Sequence, residues 1–297
     1  MIEMVELPYD LDALEPYISR KQIDLHYNKH YKKYVDTTTD LIKGTPLEDV
    51  DLEDIMQLSS GELGEQSAQA WNHTFYFKSM IPSYNETSPG FESTLPEDVE
   101  IQLVESFASL EYFKESFQKK VEEFFGVGWI WLTMDEEFNL EWITTPDELN
   151  PLISSGNRHP ILCCDLWEHA YYLDYYNDKA TYTNDWLNHL ANWDFASQNI
   201  SLCIDEIESS SNDKEKEAKQ GKVRRTISAS AFKQLLRIIQ PTTKHFPGDS
   251  VQRFHQTLKR IGLVVVPDTV AQVQTEPFEM SVGDAIEPDS FGFGDVK

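Results

Sequence analysis

The stretch PILCCDLWEHAYY, residues 160–172, constrains this chain more than any other. Its apolar start, PILCC, has the pattern of a short buried strand. A carboxylate follows at once, Asp165, and an imidazole four residues later, His169. An ionised acid in apolar surroundings is costly unless something compensates it. Two readings are open for Asp165. It caps the helix expected from about Trp167, or it shares a buried cation with His169. The partners decide. Residues 17–43 predict one helix, with Ser19 as N-cap and Gly44 as stop. That helix carries His26, His30 and Tyr34 at steps of four, near one face. A second helix, from Ser60 to about Met80, carries Gln69 and His73 four apart. Histidine and carboxylate suit iron, manganese or zinc. Each pair alone also fits a solvated helix face or ordinary packing. The combination is stronger, because the ligand-type residues sit among Trp71, Phe75, Phe77, Trp129, Trp131 and Trp167.

The organisation predicted is α+β. An N-terminal antiparallel helical hairpin occupies residues 1–88, with the break marked by Pro82, Ser83 and Asn85. Residues 89–200 predict an α/β metal-binding domain. It holds a helical region over 98–125 and a β-hairpin, WIWLTM and LEWITT, turned by DEEFN. PILCCDL adds the third strand of a small antiparallel sheet, and a last helix is expected near 183–195. Residues 201–297 form an extension: a charged linker, a basic segment and an acidic tail expected to be disordered.

Charge separates the two parts. Residues 1–200 hold 12 basic and 37 acidic residues, and 201–297 hold 13 and 14. Within 219–260 there are ten basic residues against Asp249 alone. The net charge of −26 argues against binding bare nucleic acid or an anionic membrane through the whole surface. The basic segment either docks on the acidic body or takes an unidentified protein or nucleic-acid partner. Cys163, Cys164 and Cys203 make neither a zinc pattern nor a disulfide framework, which suggests a reducing compartment. No apolar run approaches the roughly 20 residues of a membrane helix. The start, MIEMVELPYDLDALEP, lacks the basic and apolar regions of a signal peptide, so no secretion is expected.

The segments LPYDLDALEPYIS, DLHYNKHYKKYV, AQAWNHTFYF, FFGVGWIWL, TPDELNPL and DLWEHAYYLDY resemble the iron/manganese superoxide dismutase family, in its order and over roughly residues 5–198. The resemblance implies His26, His73, Asp165 and His169 as ligands of one iron, or alternatively manganese, per subunit. It implies His30 and Tyr34 as a gate and Gln69 as the partner of metal-bound solvent. A glutamine from the second helix is the iron-type arrangement. The resemblance further implies a homodimer, joined by Glu168 with the partner's histidine ligand and by Tyr172 with His30. Lys29 and Lys179 would line the substrate funnel. The reaction implied is conversion of superoxide to oxygen and hydrogen peroxide. The alternative is a low-activity interaction subunit on the same fold, with the tail as the working part. TPDELNPL and the extended C-terminus resemble plastid iron-type members, so the expected compartment is the cytoplasm or the plastid stroma.

Some positions depart from the family pattern. Lys179 and Tyr176 stand where arginines are usual, and Phe77 where tryptophan is common. Glu148 falls where iron-type members have a small residue and manganese-type members a glutamine. Either its carboxylate joins the site, or the loop slips and turns it to solvent.

Overall fold

The computed structural model describes residues 2–82, 95–154, 158–216, 225–228 and 263–266. The first long helix, α1, covers 20–42 and is capped as expected. Ser19 is extended, and its hydroxyl accepts the Gln22 N–H at 3.2 Å. The helix is not uniform. An α-helical start, Arg20–Leu25, opens into a π-helical turn, His26–Tyr31, before Lys32–Ile42 closes it. It stops one residue short of Lys43, and Gly44 takes the left-handed φ of +69°. A helix the sequence reading missed, α2 (Leu52–Leu58), precedes α3 (Gly61–Lys78).

Helices α1 and α3 run antiparallel. Tyr27 meets Phe77, the Tyr31 and Thr74 hydroxyls lie 2.9 Å apart, and Tyr34 meets His73. This is the helical hairpin the periodicity predicts. The boundary at residue 88 lies outside the described residues.

The helical region expected over 98–125 is two helices, α4 (Glu97–Phe107) and α5 (Leu110–Glu123). Ala108 between them is left-handed, and the Ser109 hydroxyl caps α5 through the Tyr112 N–H. Three strands follow: β1 (Gly128–Met134), β2 (Leu140–Pro146) and β3 (His159–Asp165). The sheet order is β2-β1-β3, and β1 pairs antiparallel with both neighbours. In the β1–β2 turn, the Asp135 carboxylate accepts the backbone N–H groups of Glu137 and Asn139 at 3.0 and 2.8 Å.

Strand β1 is buried along its whole length, since helices cover both faces of the small sheet. Gly128 has no room for a side chain: a Cβ there would meet the Thr145 carbonyl oxygen at 2.1 Å. Trp129, Trp131, Trp142 and Trp186 are fully buried, and one apolar core runs from Leu14 and Ile23 through the sheet to Ile200 and Cys203.

The C-terminal helices differ from expectation. α6 (Lys179–Asp185) runs into a π-helical turn, Trp186–Leu190. α7 then covers Trp193–Lys216, continuing as helix where the composition predicts a linker. Buried Ile200 and Cys203, with Ile204 and Ile207 against the core, hold its first half in place. In the extension, Arg225–Ser228 pairs parallel with Leu263–Val266, so LVVV is a strand. The rest of the basic segment and the acidic tail lie outside the described residues. No helix among the described residues is long and apolar enough to cross a membrane.

Candidate metal centre

Four side chains from four elements converge. His26 comes from the π turn of α1, His73 from the middle of α3, and Asp165 from the last position of β3. His169 comes from a 3-10 turn, Glu168–Ala170. Their donor atoms all lie within 4.8 Å of one another. Asp165 Oδ2 is 3.2 Å from both His26 Nε2 and His169 Nε2, and 4.0 Å from His73 Nε2. His26, His73 and Asp165 are fully buried.

The two oxygens of Asp165 face different partners. Its Oδ1 accepts the Trp167 N–H at 2.8 Å, which shapes the turn after β3, while Oδ2 faces the imidazoles. The expected helix from Trp167 is only the 3-10 turn and a short stretch, Tyr172–Tyr175. Asp165 and His169 are therefore brought together by a turn rather than by one face of a helix.

The ring chemistry fits a metal. His73 Nδ1 lies 2.7 Å from the Gln69 carbonyl, an acceptor only, so Nδ1 carries the proton and Nε2 offers its lone pair. His73 Nε2 has no hydrogen-bond partner, nor does either ring nitrogen of His26. Burial pushes the His26 imidazolium down to about 4 despite the neighbouring carboxylate, and His73 well below its usual value. Burial alone would raise Asp165, but His169 and His26 outweigh it and hold the acid ionised. Neutral imidazoles and a carboxylate are the protonation states a cation needs. Without an ion, these orphaned nitrogens would be a heavy cost in the core.

The sequence matches the α-hairpin domain of the iron/manganese superoxide dismutases over residues 2–81 and their C-terminal domain over residues 96–199. It is 42% identical over 194 residues to a protein of Babesia bovis named superoxide dismutase [Fe], covering 65% of this chain and 93% of that one. To the protein of the same name from Plasmodium falciparum (isolate 3D7) it is 42% identical over 204 residues, 69% of this chain and 98% of that one. To that of Coxiella burnetii it is 39% identical over 198 residues, 67% and 97%. The chain belongs to the iron/manganese superoxide dismutase family. Its extension beyond residue 199 lies outside both matched domains.

The family's other expected positions are placed as follows. His26, His30 and Tyr34 all lie against the cluster but differ in exposure. His26 is buried, and His30 is exposed with its ring stacked on His169 at 4.4 Å. Tyr34 is half-buried against His73 at 5.1 Å. Burial, with Asp165 nearby, pushes the Tyr34 phenol above its usual value. Gln69 is 5% exposed, and its Oε1 has no partner. Glu168 and Tyr172 are exposed on the segment that carries His169, and Lys29 is exposed beside His30. Lys179 Nζ donates to the Phe124 carbonyl at 3.1 Å and sits 5.7 Å over that ring. Part of its hydrogen-bonding capacity is thus committed within the fold.

Glu148 is half-buried. Burial raises its pKa, with the carboxylates of Glu65 and Asp147 adding to the shift. Its own backbone N–H counters part of that shift, while its backbone carbonyl accepts from the Asn72 amide at 2.8 Å. The sequence reading missed Gln22, which the structure buries beside the ligand turn. Its one signal is a position one helical turn before His26.

Proposed function

We propose that this chain is an iron superoxide dismutase that holds one ion per subunit on His26, His73, Asp165 and His169. The supporting observation is the buried three-histidine, one-aspartate cluster in a chain of this family. Gln69, delivered from α3 rather than from the hairpin loop, favours iron over manganese, as do relatives named for iron. When bound, the ion would supply one-electron redox chemistry. The side chains supply geometry and protons. Asp165 lowers the charge of the buried cation by one unit, which favours its oxidised state. The Tyr34 phenol, raised by burial, keeps its proton at neutral pH and is a donor to the departing peroxide. Gln69 orients solvent in the site, and His30 controls entry over His169.

A homodimer fits the exposed apolar surface beside the cluster. Tyr172 is 46% exposed, Leu173 44% and Tyr176 68%, next to exposed Glu168. In that assembly Glu168 pairs with the partner's ligand histidine and Tyr172 with its gate histidine. Three free, buried cysteines fit a reducing compartment, the cytoplasm or the plastid stroma. Metal analysis and a superoxide-consumption assay on the full chain and on residues 1–216 test the function. Both should carry iron and consume superoxide. Folded protein that binds iron without turnover would overturn the catalytic reading.

A further inference from the structure

We propose that Gln22 is a positioning residue that fixes His169 relative to His26; this rests on the metal-centre reading above. Gln22 is 2% exposed and lies one helical turn before His26. Its backbone carbonyl accepts the His26 N–H. Its side chain crosses to the other half of the site. Nε2 donates to the His169 carbonyl, and Oε1 accepts the Leu173 N–H at 3.3 Å. One buried residue is thereby bonded to the backbone of two ligands that are far apart in sequence.

The need for such a clamp follows from the supports of the four ligands. His26 and His73 stand on long helices, and Asp165 ends a paired strand. His169 stands on a three-residue turn followed by a four-residue helix, and Gln22 donates to its carbonyl from across the seam. An amide suits the task because it offers a donor and an acceptor at once. A methionine fills similar volume with no donor and only a weakly accepting sulfur. A second tie on the same seam, the Ser19 N–H to Asp174 Oδ2 at 2.7 Å, touches no ligand and serves as a control.

The test compares full-length wild type, Gln22→Met and Asp174→Ala. It reads iron affinity by chelator competition, the ferric electron paramagnetic resonance spectrum, and unfolding of the metal-free and iron-loaded forms. Gln22→Met is expected to weaken iron binding ~10–100-fold, the range for residues that orient a ligand, and to alter the ferric spectrum. Asp174→Ala is expected to lower the stability of both forms alike, with affinity and spectrum unchanged. If Gln22→Met behaves like Asp174→Ala, Gln22 is an ordinary brace and the proposal is wrong. Should Gln22→Met not fold, Gln22→Asn, one methylene too short to reach, is read in the same way. Wild-type protein that binds neither iron nor manganese would instead sink the metal-centre reading, and this proposal with it.

Discussion

At the scale of single residues, the centre depends on histidines kept neutral by burial. The sign of its pH response follows. The unfolded chain protonates His26 below about 6.5, whereas the folded, metal-free protein resists until about 4. Between those values the unfolded state binds more protons, so stability falls as pH falls. We predict that metal-free protein loses about 3 kcal/mol from His26 alone between pH 7 and pH 4, with His73 adding in the same direction. Urea unfolding at a series of pH values checks this; flat stability across that window would contradict it. At Tyr34, Tyr34→Phe removes the proton donor and leaves the ligands untouched. It should cut turnover several-fold with full iron content. A drop in iron content would mean that Tyr34 supports the fold instead. The residues alone offered His26, His30, Tyr34, Gln69, His73, Asp165 and His169 as candidates, and the family resemblance picked out the four that cluster. Gln22 was not legible, since a glutamine near the start of an amphipathic helix looks like solvated surface until its partners 147 and 151 residues away are known.

At the scale of elements, β1 is the fixed frame, and Gly128 sets how closely β2 approaches it. Gly128→Ala would drive a Cβ into the Thr145 carbonyl oxygen at 2.1 Å, the Phe124 ring at 2.8 Å and the Pro146 backbone at 3.0 Å; the ring can turn aside, whereas the two backbone contacts lie on the paired strand. We predict a loss of about 3 kcal/mol or more, at the upper end of single substitutions, read as a lowered melting temperature. An unchanged one would mean that the strands can separate freely. The strands and the α1–α3 hairpin were readable from period-2 and three- and four-residue patterns. The π turns at His26–Tyr31 and Trp186–Leu190 were not, because an extra residue per turn leaves no mark in composition and is stabilised by tertiary packing. The break at Ala108 was missed for a related reason: alanine is a helix former and rarely left-handed.

At the scale of the whole molecule, the acidic body carries its core past the end of the family match. α7 buries Ile200 at 4% and Cys203 at 3% exposure, and packs Ile204 and Ile207 against the core. A chain cut after residue 199 should therefore lose about 3 kcal/mol or more relative to one cut after 216. Equal melting temperatures would show that this segment adds nothing. Composition hid this, because DEIESSSNDKEKEAKQ has a linker's charge density, while the residues that hold the helix, Ile200, Cys203, Ile204 and Ile207, fall on one face of its first half. The claim beneath all of this is that three imidazoles and one carboxylate hold a single redox-active ion. Iron and manganese per chain, measured side by side on purified wild type and Asp165→Ala, tests it most directly. Close to one ion per wild-type subunit and little in the variant is the expected result. Folded wild type without either metal, or a variant that keeps its full complement, would contradict it.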